Sequence, residues 1–169
     1  MSAVPAPEVP QPAKQEVLSA SLLNGRPGFL IRRMHQIHTA LFLEETRAFN
    51  VTPVQYSLLT ALRQYGEMEQ GRLALEIGLE RTSVAEVILR LVERGLIERN
   101  ASPKDKRVKR VALTRKGRAL IRRMLEPVQR AHDRTIECLA PDEREVFLAQ
   151  LIRLVEANND QGAVPLRMR

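Results

Sequence analysis

The stretch from Leu91 to Gly117, LVERGLIERNASPKDKRVKRVALTRKG, constrains this chain more than any other part of it. A helical apolar rhythm stops at Arg94, and Gly95 follows, a residue suited to the left-handed backbone that closes a helix. Leu96 and Ile97 start a short strand, and Val108 to Leu113 returns as a second. Between them lies a loop with Lys104, Asp105, Lys106 and Arg107, too charged to be core. Thr114 then opens another helix. Helix, hairpin with a cationic tip, and helix make a winged helix. Such a tip suits phosphates and a DNA minor groove.

The upstream elements point the same way. Thr52-Pro53-Val54-Gln55 is a capping box with proline at the first helical position, and the helix it opens runs to about Tyr65. Val54, Leu58, Leu59 and Leu62 are its expected inward residues, and Gly66 ends it. Leu73, Ala74, Ile77 and Leu79 mark a short helix interrupted at Gly78, and the next runs from about Arg81 to Arg94. The pair reads as a helix-turn-helix. In its second member Val84, Val87, Ile88 and Leu91 face inward. Thr82, Ser83, Glu86 and Arg90 face outward, with Arg81 at the N-terminal edge, where a recognition helix meets base edges and phosphates. Glu86 has two open roles. It accepts from a cytosine amine, or it completes a capping box with Ser83.

Charge sharpens this reading. Of 27 Lys/Arg and 20 Asp/Glu, residues Arg81 to Arg123 hold 14 and 4, leaving 13 and 16 elsewhere. A near-neutral body with one basic segment is a nucleic-acid footprint. The fold class is therefore mainly α with a small β-hairpin wing, joined to a helical dimerisation region. Residues 1–25, with four prolines in the first twelve, read as a flexible arm, although Ala13 to Leu23 has the makings of a short helix. Residues 26–159 form one domain, with dimerisation helices at about 27–49 and 115–158 around a DNA-binding lobe at about 52–114. Residues 160–169 are a tail.

The first long helix, opened by Pro27, carries Leu30, Ile31, Met34, Ile37, His38, Leu41 and Phe42 at helical spacing. That stripe is wider than a lone surface helix needs, so part of it is expected to meet a second subunit. The helix after Thr114 is expected to reach about Leu139 with a kink or loosened turn at Pro127. Ala140-Pro141-Asp142-Glu143 is expected to start a final helix running to about Asn158, with the proline and two acids in its first turn.

The order of elements resembles the MarR family of winged-helix transcription regulators over about Pro27 to Asn158. The resemblance rests on Leu91-Val92-Glu93-Arg94-Gly95-Leu96-Ile97-Glu98-Arg99, Asp105-x-Arg107 and Leu113-Thr114-Arg115-Lys116-Gly117. It implies a homodimer with interlocked first and last helices, a wing arginine (Arg107) in the minor groove, and an aspartate (Asp105) holding the wing. Arg26 to Arg33, His35-Gln36-Ile37-His38 and Thr52 to Tyr56 look like regulators of aromatic-acid catabolism. That narrower resemblance implies an aromatic acid or its coenzyme A thioester as effector. Met34, His38, Phe42 and Tyr56 are the candidates for the ring, and Arg32 and Arg33 for the phosphates.

Other chemistry is thin. His35, His38 and His132 lack partners at metal-ligand spacing, and neither a phosphate loop nor a nucleophile elbow is present, so neither cofactor nor enzyme is expected. Cys138, the one cysteine, reads as a packed small residue late in a helix. An oxidant sensor switched at Cys138, and a winged helix serving RNA or protein, are the competing readings. With no apolar run long enough for a membrane and no secretory signal, the expected compartment is the cytoplasm.

Overall fold

Proline, glycine and capping residues punctuate the chain into six helices and three strands among the residues that the computed structural model describes, 23–103, 105–162 and 164. The helix expected at Ala13 to Leu23 lies outside them except for Leu23, as do Lys104 and most of the tail. The helices are α1 (Pro27–Glu45), α2 (Pro53–Tyr65), α3 (Gln70–Glu76), α4 (Arg81–Glu93), α5 (Arg115–Thr135) and α6 (Pro141–Ala157). The strands are β1 (Met68–Glu69), β2 (Ile97–Ala101) and β3 (Lys109–Leu113), antiparallel in the order β1-β3-β2.

Residues 1–38 and 39–169 form two units. In the first, α1 begins at Pro27, Arg32 stacks over Phe29 at 5.3 Å, and Arg33 donates to Gln36 Oε1 at 3.4 Å. Leu30, Ile31, Met34 and Ile37 are exposed.

The second unit has two apolar clusters. The larger joins Leu58, Leu59 and Leu62 of α2 to Leu73, Val84, Ile88, Leu91, Ile97, Val111 and Ile121. Each such side chain contributes about 1.5–3 kcal/mol relative to exposure, enough together to fix the helix-turn-helix against the sheet. The capping box at Thr52 is present: Gln55 N–H donates to Thr52 Oγ1 at 3.3 Å, and Thr52 N–H to Gln55 Oε1 at 3.2 Å. Its neighbour Val54 departs from expectation and is 38% exposed; the buried place in that turn goes to Gln55.

The smaller cluster gathers Phe42, Val51, Met124, Val128 and Ala131, with Phe49 and Tyr56 against it. Beside it Glu45 accepts from Arg130 Nε at 2.9 Å and Arg134 Nη1 at 2.8 Å. Those two donors hold the Glu45 carboxyl below its ordinary range.

The turn from α4 to the sheet is set by Gly95 at φ 66°. The chain returns at Thr114, whose Oγ1 donates to Gly95 O at 2.7 Å and accepts from Gly117 N–H at 3.0 Å. A Cβ at position 117 would collide with the Leu96 carbonyl oxygen. Glycine there lets the start of α5 lie on the wing's root.

Helix α5 stops at Thr135, short of the expected Leu139. Ile136 N–H bonds back to Asp133 O and Leu139 N–H to Ile136 O, a tightening that ends the helix. Helix α6 starts at Pro141, as expected, with Asp142 and Glu143 in its first turn. Its cap, Ala140, has no hydroxyl, but the Glu143 carboxylate accepts from Ala140 N–H at 2.7 Å. No residue of α6 is buried.

Candidate nucleic-acid interface

Helix α4 presents two faces. Val84, Ile88 and Leu91 are buried and Val87 is half-buried, while Arg81, Thr82, Ser83, Glu86 and Arg90 are exposed. Its cap residue Glu80 makes no side-chain hydrogen bond, and Val84 N–H is the first to reach back, to Glu80 O at 3.1 Å. The N–H groups of Arg81, Thr82 and Ser83 therefore lie at the open, electropositive end of the helix.

The capping-box role for Glu86 fails. Ser83 is the third residue inside the helix and not its cap, and the Glu86 carboxylate lies 3.9 Å from Arg90 Nη2 instead. The two side chains are 75% and 67% exposed, so the pair is worth about 0.3–0.5 kcal/mol. A phosphate or base can displace it cheaply.

In the wing, Asp105 Oδ1 accepts from Arg107 N–H at 2.9 Å, and Val108 N–H donates to Asp105 O at 3.0 Å. The aspartate thus closes the turn that presents Arg107. Lys106 and Arg107 are exposed, and Lys109 Nζ donates to Lys106 O at 3.2 Å.

A groove of about 520 Å³ lies between the wing and α3. Arg72, Arg81, Arg99, Arg107 and Lys109 line it, with Glu69 the one acid. Five cations in one concavity make a site for the phosphates of a duplex. Sequence reasoning placed Arg81 and Arg107 here but missed Arg72, Arg99, Lys109 and Gln70, whose Oε1 accepts from Arg99 Nε at 3.1 Å. The missing signal is β1, two residues long, which pairs Met68 with Val111 and Glu69 with Arg110 and so draws α3 beside the wing.

The MarR family model matches residues 51–109, the span from the α2 cap to the return strand. The transcriptional repressor CouR, solved bound to a 23-mer DNA duplex, is 30% identical with a TM-score of 0.73. The match covers 86% of this chain and 99% of that one. The chain belongs to the MarR family. It is a MarR-type DNA-binding transcriptional repressor, not an enzyme. BpsR of Bordetella bronchiseptica, solved in a study of how 6-hydroxynicotinic acid regulates its DNA binding, is 31% identical with a TM-score of 0.71. That match covers 75% of this chain and 96% of that one. The transcriptional repressor NicR of Pseudomonas putida is 27% identical over 80% of this chain and 85% of its own length.

Of the candidate effector residues, this MarR-type fold brings Phe42 and Tyr56 together, with ring centroids 5.7 Å apart and planes tilted by 58°. Arg32, Arg33, Met34 and His38 belong to the other unit, on the N-terminal part of α1. Cys138 is not in a helix, nor is it packed. It is exposed in the turn after α5, because that helix ends three residues earlier. Among the described residues no three metal-ligating side chains cluster, and no helix is long and apolar enough to cross a membrane.

Proposed function

We propose that this repressor acts as a homodimer on an imperfect palindrome and lets go when an aromatic acid or its coenzyme A thioester binds. Two recognition helices about 34 Å apart would read successive major grooves. Thr82, Ser83, Glu86 and Arg90 supply base or phosphate contacts, and Arg81, Lys104, Lys106 and Arg107 supply phosphate and minor-groove contacts. Asp105 holds the wing.

One observation carries the ligand-responsive part. The Phe42–Tyr56 cluster is linked to the recognition helix through Phe49 and Arg94. That guanidinium, at the end of α4, donates to Asn50 O at 2.7 Å, Phe49 O at 3.0 Å and Gln55 Oε1 at 3.4 Å. Phe49 packs on the cluster and Arg94 caps α4, so a ligand that moves the rings shifts the helix. Release then follows as a population shift, provided the ligand binds the non-matching arrangement more tightly. The regulation of BpsR by 6-hydroxynicotinic acid supports an aromatic acid as effector class. Met34 and His38 are assigned to ring contact and hydrogen bonding, Arg32 and Arg33 to thioester phosphates.

Calorimetry on the DNA-free protein with hydroxycinnamic acid and its coenzyme A thioester is the test. The thioester is expected to bind more tightly, and Tyr56→Ala to weaken both. Tight binding of the acid with none of the thioester overturns the coenzyme A half of the reading, and binding of neither overturns the whole.

A further inference from the structure

Arg99 sits on the face of the sheet that carries the core. It stands opposite Val111, which in turn stands opposite Met68, and both of those residues are buried. Residues directly opposite in an antiparallel pair point to the same side, so Arg99 follows Ile97 towards the helices. At this end of β2 the side chain reaches the start of α3, where its Nε donates to Gln70 Oε1 at 3.1 Å. We infer that Gln70 is a positioning residue, which holds Arg99 towards a phosphate of the duplex without neutralising it.

The neighbouring cation shows what the amide avoids. Arg72 lies 3.4 Å from the Glu76 carboxylate, so its charge is already answered within α3. Among the described residues Arg99 forms no ion pair, and the oxygen that holds it belongs to a neutral amide. With the Nε donor engaged, the donors on both Nη atoms stay available, in the planar fork that meets phosphate oxygens in pairs. A long side chain held at one point also loses less freedom when DNA arrives.

The same turn of α3 seats a second guanidinium. Arg81, at the start of the recognition helix, lies beside Gly71, where a Cβ would sit 3.8 Å from its Cζ. Gln70 and Gly71 thus hold one cation from the wing's root and one from α4 on the wall of a single groove. The role of Gln70 rests on that groove being the DNA site, and it adds a contact at the root of the wing to the one at its tip.

The test is fluorescence anisotropy of the full chain on a duplex it selects, measured across salt concentrations. Arg99→Gln is expected to weaken binding about tenfold and to flatten the log–log salt slope by about 0.9, one phosphate. Gln70→Met, which keeps every charge, is expected to weaken binding about threefold or more, and to add nothing in the Arg99→Gln background. Gln70→Glu strengthens the bond to Arg99 but cancels its charge, so it is expected to lose at least as much and to flatten the slope, with no fall in melting temperature. Thermal melts check that each variant folds; if Gln70→Met does not, Gln70→Glu decides. Wild-type binding by both Gln70 variants, with Arg99→Gln weakened, overturns the positioning role and leaves the groove standing. A Gln70→Met loss that persists in full without Arg99 overturns it too, since Gln70 then acts on its own. Wild-type binding by Arg99→Gln overturns the role while a weakened Arg107→Ala keeps the wing contact; wild-type binding by both overturns the groove as well.

Discussion

The helix-turn-helix and helix α6 are built from similar numbers of apolar residues and treat them in opposite ways. In α4, Val84, Ile88 and Leu91 are fully covered by α2, α3 and the sheet. In α6, Val146 is 58% exposed and Leu154 56%, with Leu148, Leu151, Ile152 and Val155 exposed as well. Apolar surface on this scale is costly to leave in water, and its presence on a whole helix marks an interface. The lobe is complete within one protomer. We propose that a second copy of the chain covers helix α6 in a homodimer.

The contrast can be broken from either side. Leu91→Ala should cost the lobe about 2–5 kcal/mol, because it opens a cavity that neighbouring elements cannot close, and urea denaturation reads the loss. Val146→Glu with Leu154→Glu should leave the lobe folded and turn the dimer into monomers, read by sedimentation velocity. A dimer that survives both charges would place the interface elsewhere. The smallest effect belongs to the cap of α6. Ala140→Ser gives that helix the hydroxyl it lacks and should add about 0.5–1 kcal/mol, seen as a rise in melting temperature. No gain would mean that the bond from Ala140 N–H to Glu143 already satisfies this end.

Much of the lobe is legible in the residues because its boundaries depend on local chemistry. Thr52 and Gln55 cap within four residues, Gly95 adopts the left-handed backbone its position demands, and Thr114 begins α5. What escapes the sequence depends on distant partners. Strand β1 exists only because β3 passes beside Met68 and Glu69, and with it goes the cationic groove that gathers Arg72 and Arg99 with Arg107. Arg94 looks in sequence like one more helix-end cation. Its bonds to Phe49 O and Asn50 O span more than forty residues. Burial of Gln55 in place of Val54, and the early end of α5 that leaves Cys138 in an exposed turn, are likewise decided by packing and turn bonding. The apolar periodicity that suggests either outcome is the same.

Wing and groove together are proposed to hold duplex DNA. Fluorescence anisotropy on a duplex selected by the protein from a random pool, repeated across salt concentrations, tests it most directly. The wild type should show a log–log salt slope of about −0.9 for each phosphate neutralised. Arg107→Ala should weaken binding by about 1–3 kcal/mol and flatten that slope while the fold is kept. Unchanged affinity and slope in Arg107→Ala would contradict the account.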